Sequence, residues 1–329
     1  MATPLHPIDQ LGAWHRIRPL ELLPWVLAVG YYFLPNSNLP LGTEILTWAL
    51  FTLSLDLVLG YTGIVSLGHA AFFGIGAYAA GLVARWLGWT EPITALIFAG
   101  AVSGVAGVIS GLIVLRTHGL TLLMLTMAVA VMLKELANKL GWLTGGADGL
   151  QGIVIDPIFG QFRFDMFGRT TYWYALAVLF LAWIVARRIV HSPFGRSLVG
   201  IRENATRMSA IGSPVMLRMV TVYAISAAMA GVAGALLAQT TRYVTVNVLS
   251  LEYSGDVLIM LVLGGMGRLY GAFAGSAVFL VLRDELSKLS PYYWSFGIGL
   301  LLVATVLFAR GGLLGIVDTL WDRIKRWRA

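Results

Sequence analysis

Ten apolar windows, at about residues 20–35, 43–60, 66–86, 92–115, 119–139, 171–190, 218–240, 253–264, 269–285 and 293–310, take up most of this 329-residue chain. A bilayer core needs about 20 helical residues, so several windows fit as spans, while 253–264 is short. Lipid offers no hydrogen bonds to a backbone, which leaves helices or a closed barrel, and the long non-alternating runs exclude the barrel. The expected fold is all-α: a polytopic integral membrane protein of about ten transmembrane helices, with broken or re-entrant segments. Composition agrees, because 58% hydrophobic and 12% charged residues stand against roughly 45–50% and about 25% in soluble domains.

The basic residues define the sidedness. A net charge of +7 would suggest nucleic acid in a soluble chain. Here the arginines and lysines fall in loops and tails, so the partner they imply is a lipid bilayer and not nucleic acid. The stretch 187–218 carries six arginines (187, 188, 196, 202, 207 and 218) against one acid, Glu203. With Arg16 and Arg18 inside, ten crossings place Arg116, this stretch and the tail Arg323, Lys325, Arg326 and Arg328 inside as well. The opposite loops are acidic or mixed, with Asp148, Asp156 and Asp165 beside Arg163 and Arg169, then Glu252 and Asp256 beside Arg242. Positive charge marks the cytoplasmic side, so both termini are expected there. The chain divides into a cytoplasmic segment 1–19, a membrane domain 20–316 with a cytoplasmic loop at 191–217, and a basic tail 317–329. The N-terminal segment lacks the signal-peptide pattern and is expected to stay on the mature protein.

Glycine patterns organise the spans. Gly100, Gly104, Gly107 and Gly111 share one helical face, as do Ser226, Ala230, Gly234 and Ala238, and such faces let helices approach closely. Residues 57–63 read LVLGYTG and residues 261–267 read LVLGGMG. Glycine-interrupted segments in corresponding halves point to a substrate site in transporter-like folds. Two similar tight turns between hairpin helices would leave the same pattern. The segment 60–78 adds Ser66, His69, Phe72, Phe73 and Tyr78. His69 has two readings, lining a solute path or donating to a carbonyl freed by a helix break. Asp56, one turn before Gly60, has the same two. Glu44, Lys134 and Glu135 sit near window ends and are expected to snorkel to the interface.

Enzyme chemistry finds no support. The histidines at 6, 15, 69, 118 and 191 are scattered, and no HExxH, paired-carboxylate or G-x-S-x-G pattern occurs. TGGADGLQG at 144–152 lacks the P-loop order, and it is expected to be an external loop. With no cysteine in the chain, thiolate metal sites are excluded.

GYTGIVSLGHAAFFGIGAYAAG, LTGGADGLQGI, SPFGRSLVGIRENATRMSAIG, AISAAMAGVAGALLA, LVLGGMGRLYGAFAGSA and FARGGLLGI together resemble the LivM-type permease subunit of branched-chain amino acid ABC importers. The matching blocks run in order from about residue 44 to residue 316. The chain departs from the usual pattern at Ile64 and Arg268. The resemblance implies a bacterial inner-membrane permease paired with a LivH-type permease, two ABC ATPase subunits that bind the ATP, and a periplasmic solute-binding protein. No cofactor is expected on this chain. Relatives handling urea or short amides leave the solute open, and a stand-alone channel or secondary transporter is the rival from another class.

The resemblance also places an ATPase-coupling helix from Gly195 to Gly212. There Leu198, Ile201, Ala205 and Met208 form an apolar stripe flanked by Arg196, Arg202 and Arg207, with Glu203 and Asn204 between. Such a stripe fits a partner's groove or, without a partner, the membrane interface. The residues expected near the solute path are Gly60, Gly63, Ser66, His69, Phe72, Gly264 and Gly267.

Overall fold

The structure, a computed structural model, describes residues 23–34, 38–158, 160–165, 168–289, 293–308 and 311–315. The helices are α1 (Leu23–Tyr32), α2 (Leu39–Thr62), α3 (His69–Trp86), α4 (Pro92–Val114), α5 (Leu120–Lys139), the single turn α6 (Gly141–Thr144), α7 (Arg169–Val190), α8 (Pro193–Ala210), α9 (Val215–Thr241), α10 (Leu251–Gly264), α11 (Gly271–Leu289) and α12 (Trp294–Phe308). Among the described residues, β structure is limited to the isolated bridges Leu150–Val244 and Ile158–Phe162. Every apolar window has become a helix, and α8 is the helix of the arginine-rich loop between two of them. The protein is an all-α polytopic membrane protein. Helices α2, α4, α5, α7 and α9 are long and apolar enough to cross a bilayer by length and composition. The segments 1–19 and 317–329 lie outside the described residues.

Local chemistry sets the ends of these helices. Asn38 accepts a hydrogen bond from the Leu41 amide at 3.4 Å and starts α2, with Pro40 in its first turn. Gly63, at φ +73°, stops it. Ser192 and Ser250 cap α8 and α10 in the same way. Inside α2 the hydroxyls of Thr43, Thr47 and Thr52 donate back to the carbonyls of Leu39, Thr43 and Trp48, so a buried helix hides its polar atoms against its own backbone.

Helix α2 is the axis of the molecule. In its most apolar window 89% of residues are buried, against 22% for α5, which turns Leu120, Met124 and Met132 outward. The glycine stripe of α4 lies on α9: a Cβ on Gly107 would sit 2.5 Å from the Cβ of Ala227 and 3.1 Å from the Cα of Ala224. The small-residue stripe of α9 faces the other way, with Gly234 against the Phe73 carbonyl of α3 and the Ser226 hydroxyl donating to the Ser54 carbonyl of α2. The two stripes hold α9 against both α4 and α3, and Ser103 of α4 donates to the Phe72 carbonyl of α3 at 3.1 Å, so the three helices pack mutually.

Candidate functional site

The two LVLG-x-x-G segments meet. Each closes a helix, and the last glycine of each, Gly63 and Gly267, has φ +73°. The Gly267 amide donates to Oδ1 of Asp56 at 2.7 Å, and Asp56 is completely buried. A Cβ on Gly60 would stand 2.8 Å from the Gly267 Cα, so glycine is needed there for two backbones to touch. The chain leaves the two segments differently. After α10 it turns tightly through 265–270 into α11, whereas after α2 it runs without helix from Gly63 to Gly68.

That irregular segment is re-entrant. His69, the first residue of α3, shares a 2.9 Å hydrogen bond with Ser54, eight residues before the end of α2. Eight helical residues rise about 12 Å, so α3 begins well inside the level where α2 stops. The window expected from residue 66 therefore starts as a helix only at His69. The broken backbone is partly satisfied by side chains: the Leu67 amide donates to Thr126 and the Ala70 amide to Ser254, at 3.3 and 3.0 Å. The Ser54 hydroxyl donates to the Phe51 carbonyl and that of Ser226 to the Ser54 carbonyl, so the His69 Nε2–H is the donor toward both serines. Phe51 stacks on the imidazole, with centroids 5.6 Å apart and planes within 8°. His69, Ser66 and Phe72 are buried inside the chain's own fold, Phe72 edge-on to Tyr223.

The arginine-rich helix reaches this junction. Arg202 of α8 donates through Nη1 to the Gly60 carbonyl, lays its aliphatic stem across Gly63, and is close enough to act electrostatically on Asp56. The continuous apolar stripe expected for α8 is divided. Asn204 leaves the helical region (φ −160°, ψ 96°) and its side chain accepts from the Arg207 amide at 2.8 Å, starting a new helical turn as an N-cap does. On one side of this kink Leu198 and Ile201 are buried in the chain's own core, and Gly195 sits tight against the Val190 carbonyl. Beyond it Ala205 is exposed, and the Met208 sulfur folds back to the position a Cβ on Gly200 would crowd, 2.8 Å away. Arg196, Glu203 and Gly212 complete this polar end of the molecule, Gly212 at φ +83°.

At the other end lies a cavity of about 730 Å³. It is lined by Thr43, Glu44 and Trp48 of α2, the Arg242–Tyr243 pair after α9, Tyr253 of α10 and Asp284 of α11, among others. The start of α7 and the end of α9 reach it, whereas the end of α7 and the start of α9 flank α8. Cavity and α8 are therefore on opposite faces, one helix length of roughly 33 Å apart for 22 residues. Glu44 keeps a partly exposed side chain, and its Oε1 accepts a 2.5 Å ion pair from Nη2 of Arg283. Arg242 has φ +56°, the one positive φ on a non-glycine residue among those described. That conformation costs a side-chain-bearing residue about 1–2 kcal/mol. The glycine-rich loop 144–152 closes over this end, pairing Leu150 with Val244 and accepting from the Tyr243 hydroxyl at the Asp148 carbonyl.

Residues 41–306 match the family "Branched-chain amino acid transport system / permease component". The chain belongs to that family. It is 30% identical over 88% of its length to the high-affinity branched-chain amino acid transport system permease protein LivM of Salmonella typhimurium, covering 73% of that protein. The LivM protein of Escherichia coli is 29% identical over the same shares. A probable branched-chain amino acid transport permease protein LivM of Methanocaldococcus jannaschii is 25% identical over 75% of the chain and 81% of its own length. No solved structure gives a significant match to the chain. As a family member the chain is a transport component rather than an enzyme, and the described residues hold no cluster of metal-ligating side chains.

Sequence reasoning singled out Asp56, His69 and the glycine breaks separately. It missed that Asp56 and Arg202 bind opposite ends of one junction, and it missed the cavity. The signals for the junction were the matching LVLG-x-x-G segments and the spacing of Asp56 one turn before Gly60.

Proposed function

We propose that this chain is one membrane-spanning half of an ATP-driven importer of branched-chain amino acids, in which α8 carries movement from an ATPase to the glycine junction. A LivH-type permease forms the other half. Two ABC ATPase subunits hydrolyse ATP, and a periplasmic solute-binding protein delivers solute to the face opposite α8. The assembly sits in a bacterial inner membrane with α8 and both termini cytoplasmic.

The observation that supports this reading is the side chain of Arg202, which leaves the exposed loop helix and ends on the carbonyl of Gly60 beside Asp56. The ATPase meets the exposed turn 205–210 and its flanking arginines, not the buried Leu198 and Ile201. Displacement of that turn pulls on Arg202, which shifts the end of α2 and, through Asp56 and Gly267, the turn after α10. Gly60, Gly63, Gly264 and Gly267 let those ends slide past one another. Ser66, His69 and Phe72 fix the broken helix beside the path, which forms against the second permease. Alternating access then arises from rocking of the two halves.

The test is Arg202→Ala in the complete transporter reconstituted in proteoliposomes. ATP hydrolysis is expected to continue while leucine uptake falls about tenfold or more, the size of a typical coupling energy. Uptake at the wild-type level, with normal complex yield, would refute the coupling role. Uptake that persists without ATP would instead favour a stand-alone channel.

A further inference from the structure

The charged cavity opposite α8 plays no part in coupling through Arg202, and it lies where the ends of several helices converge. Residues of both signs converge on one space from three different helices or their ends: Glu44 from α2, Arg242 after α9, and Asp284 from α11, with Arg283 of α11 behind Glu44. Trp48 and Tyr253 supply an aromatic wall, their rings 5.0 Å apart.

Arg242 is the informative member. It occupies the left-handed position that ends α9, where glycine or asparagine is the usual residue because neither suffers from a Cβ clash there. Its side chain is exposed to the cavity and takes no hydrogen bond or ion pair among the described residues. A guanidinium fixed at such a position with no partner among the described residues is open to an anion that is not part of the chain. Across the same cavity Glu44 spends one oxygen on Arg283 and Asp284 one on Lys288, which leaves carboxylate lone pairs for a cation.

We infer that this cavity is a receiving site for a zwitterionic amino acid: the carboxylate goes to Arg242, the ammonium to Glu44 and Asp284, and an aliphatic side chain to the Trp48–Tyr253 wall. The volume of about 730 Å³ holds a small solute with water, within the roughly 300–1,000 Å³ range of ligand sites. The inference rests on the proposed import function and adds to it a solute site on this subunit, ahead of the glycine junction along α2. Trp48 lines the cavity, and the next aromatic on α2, Phe51, stacks on His69.

Arg242→Gly is the discriminating variant, because glycine relieves the positive φ and therefore keeps or improves stability while removing the charge. In the complete transporter, wild-type and R242G are compared for tritiated L-leucine uptake, for thermal midpoint, and for affinity toward the solute-binding protein. Equilibrium leucine binding to the nucleotide-free membrane complex is measured alongside, with leucinamide and 4-methylpentanoate as competitors lacking the carboxylate or the ammonium. The expected result is an unchanged or raised thermal midpoint, unchanged affinity for the solute-binding protein, and leucine binding weakened about tenfold or more. Partial recovery in Arg242→Lys and weak competition by both analogues belong to the same expectation. Leucine binding and uptake at wild-type levels in R242G overturn the site while leaving the import function intact. A loss confined to affinity for the solute-binding protein overturns it in favour of a protein-docking face. Failure of the wild-type transporter to take up leucine, isoleucine or valine overturns the import reading and this site with it.

Discussion

Asp56 shows what a single polar residue can do in the middle of a membrane protein. Its Oδ1 accepts from the Gly267 amide at 2.7 Å, while Oδ2 is buried without a hydrogen-bond partner. The hydrogen bond and the charge are separable. Asp56→Asn keeps an acceptor of the same shape and is expected to hold the Gly267 amide. Asp56→Ala strands that amide in the core, at a cost of about 1–3 kcal/mol. Thermal midpoints of the purified complex are expected to rank wild type and D56N together above D56A. If D56A melted with the other two, the junction would contribute nothing to stability and its role would lie elsewhere. His69 works on the same principle one step along α2, where hydroxyls already donating to carbonyls leave only the imidazole N–H to bind α3 to α2 and α9.

Among elements, α2 and α9 carry the architecture for different reasons. Helix α2 is buried on every side and meets, in order, the cavity at Glu44 and Trp48, the α3 start at Ser54, the α10 turn at Asp56 and the α8 arginine at Gly60. Helix α9 is held by close backbone approach, which in lipid replaces the hydrophobic effect as the source of helix association. Gly107→Leu is expected to push α4 off α9, since even a Cβ at that position is within 2.5 Å of Ala227. The expected readout is loss of folded complex on size-exclusion chromatography. Gly30→Ala is the control, because no atom lies within 4 Å of the added group. A Gly107→Leu complex recovered at wild-type yield would mean that α4 can repack freely.

For the whole molecule the question is which face meets the cytoplasm. The chain has no cysteine, so single cysteines can be introduced without background. Ala205 in α8 and Gln151 in the glycine-rich loop are both exposed and belong to opposite ends. In intact cells an impermeant maleimide is expected to label Gln151→Cys and to spare Ala205→Cys, with the pattern reversed in inverted vesicles. Labelling of both from one side would exclude the proposed topology. The family resemblance was legible in six blocks, and the match over residues 41–306 spans most of them. The kink at Asn204 was not, because asparagine tolerates both a helix interior and an N-cap, and the choice is made by what packs around it.

The helices, their approximate ends, the small-residue faces and the family could all be read along the chain. Each depends on a local requirement: lipid demands apolar length, caps and glycines end helices, and small side chains mark close contacts. Packing in three dimensions was needed to show that the two glycine turns touch, that α3 begins part-way along α2, that Ile201 is core, and that Glu44 meets Arg283 beside a cavity. Those facts join residues up to 239 positions apart. Their physical cause is the relative rotation and depth of packed helices, which buried polar groups fix pair by pair and which no local pattern encodes.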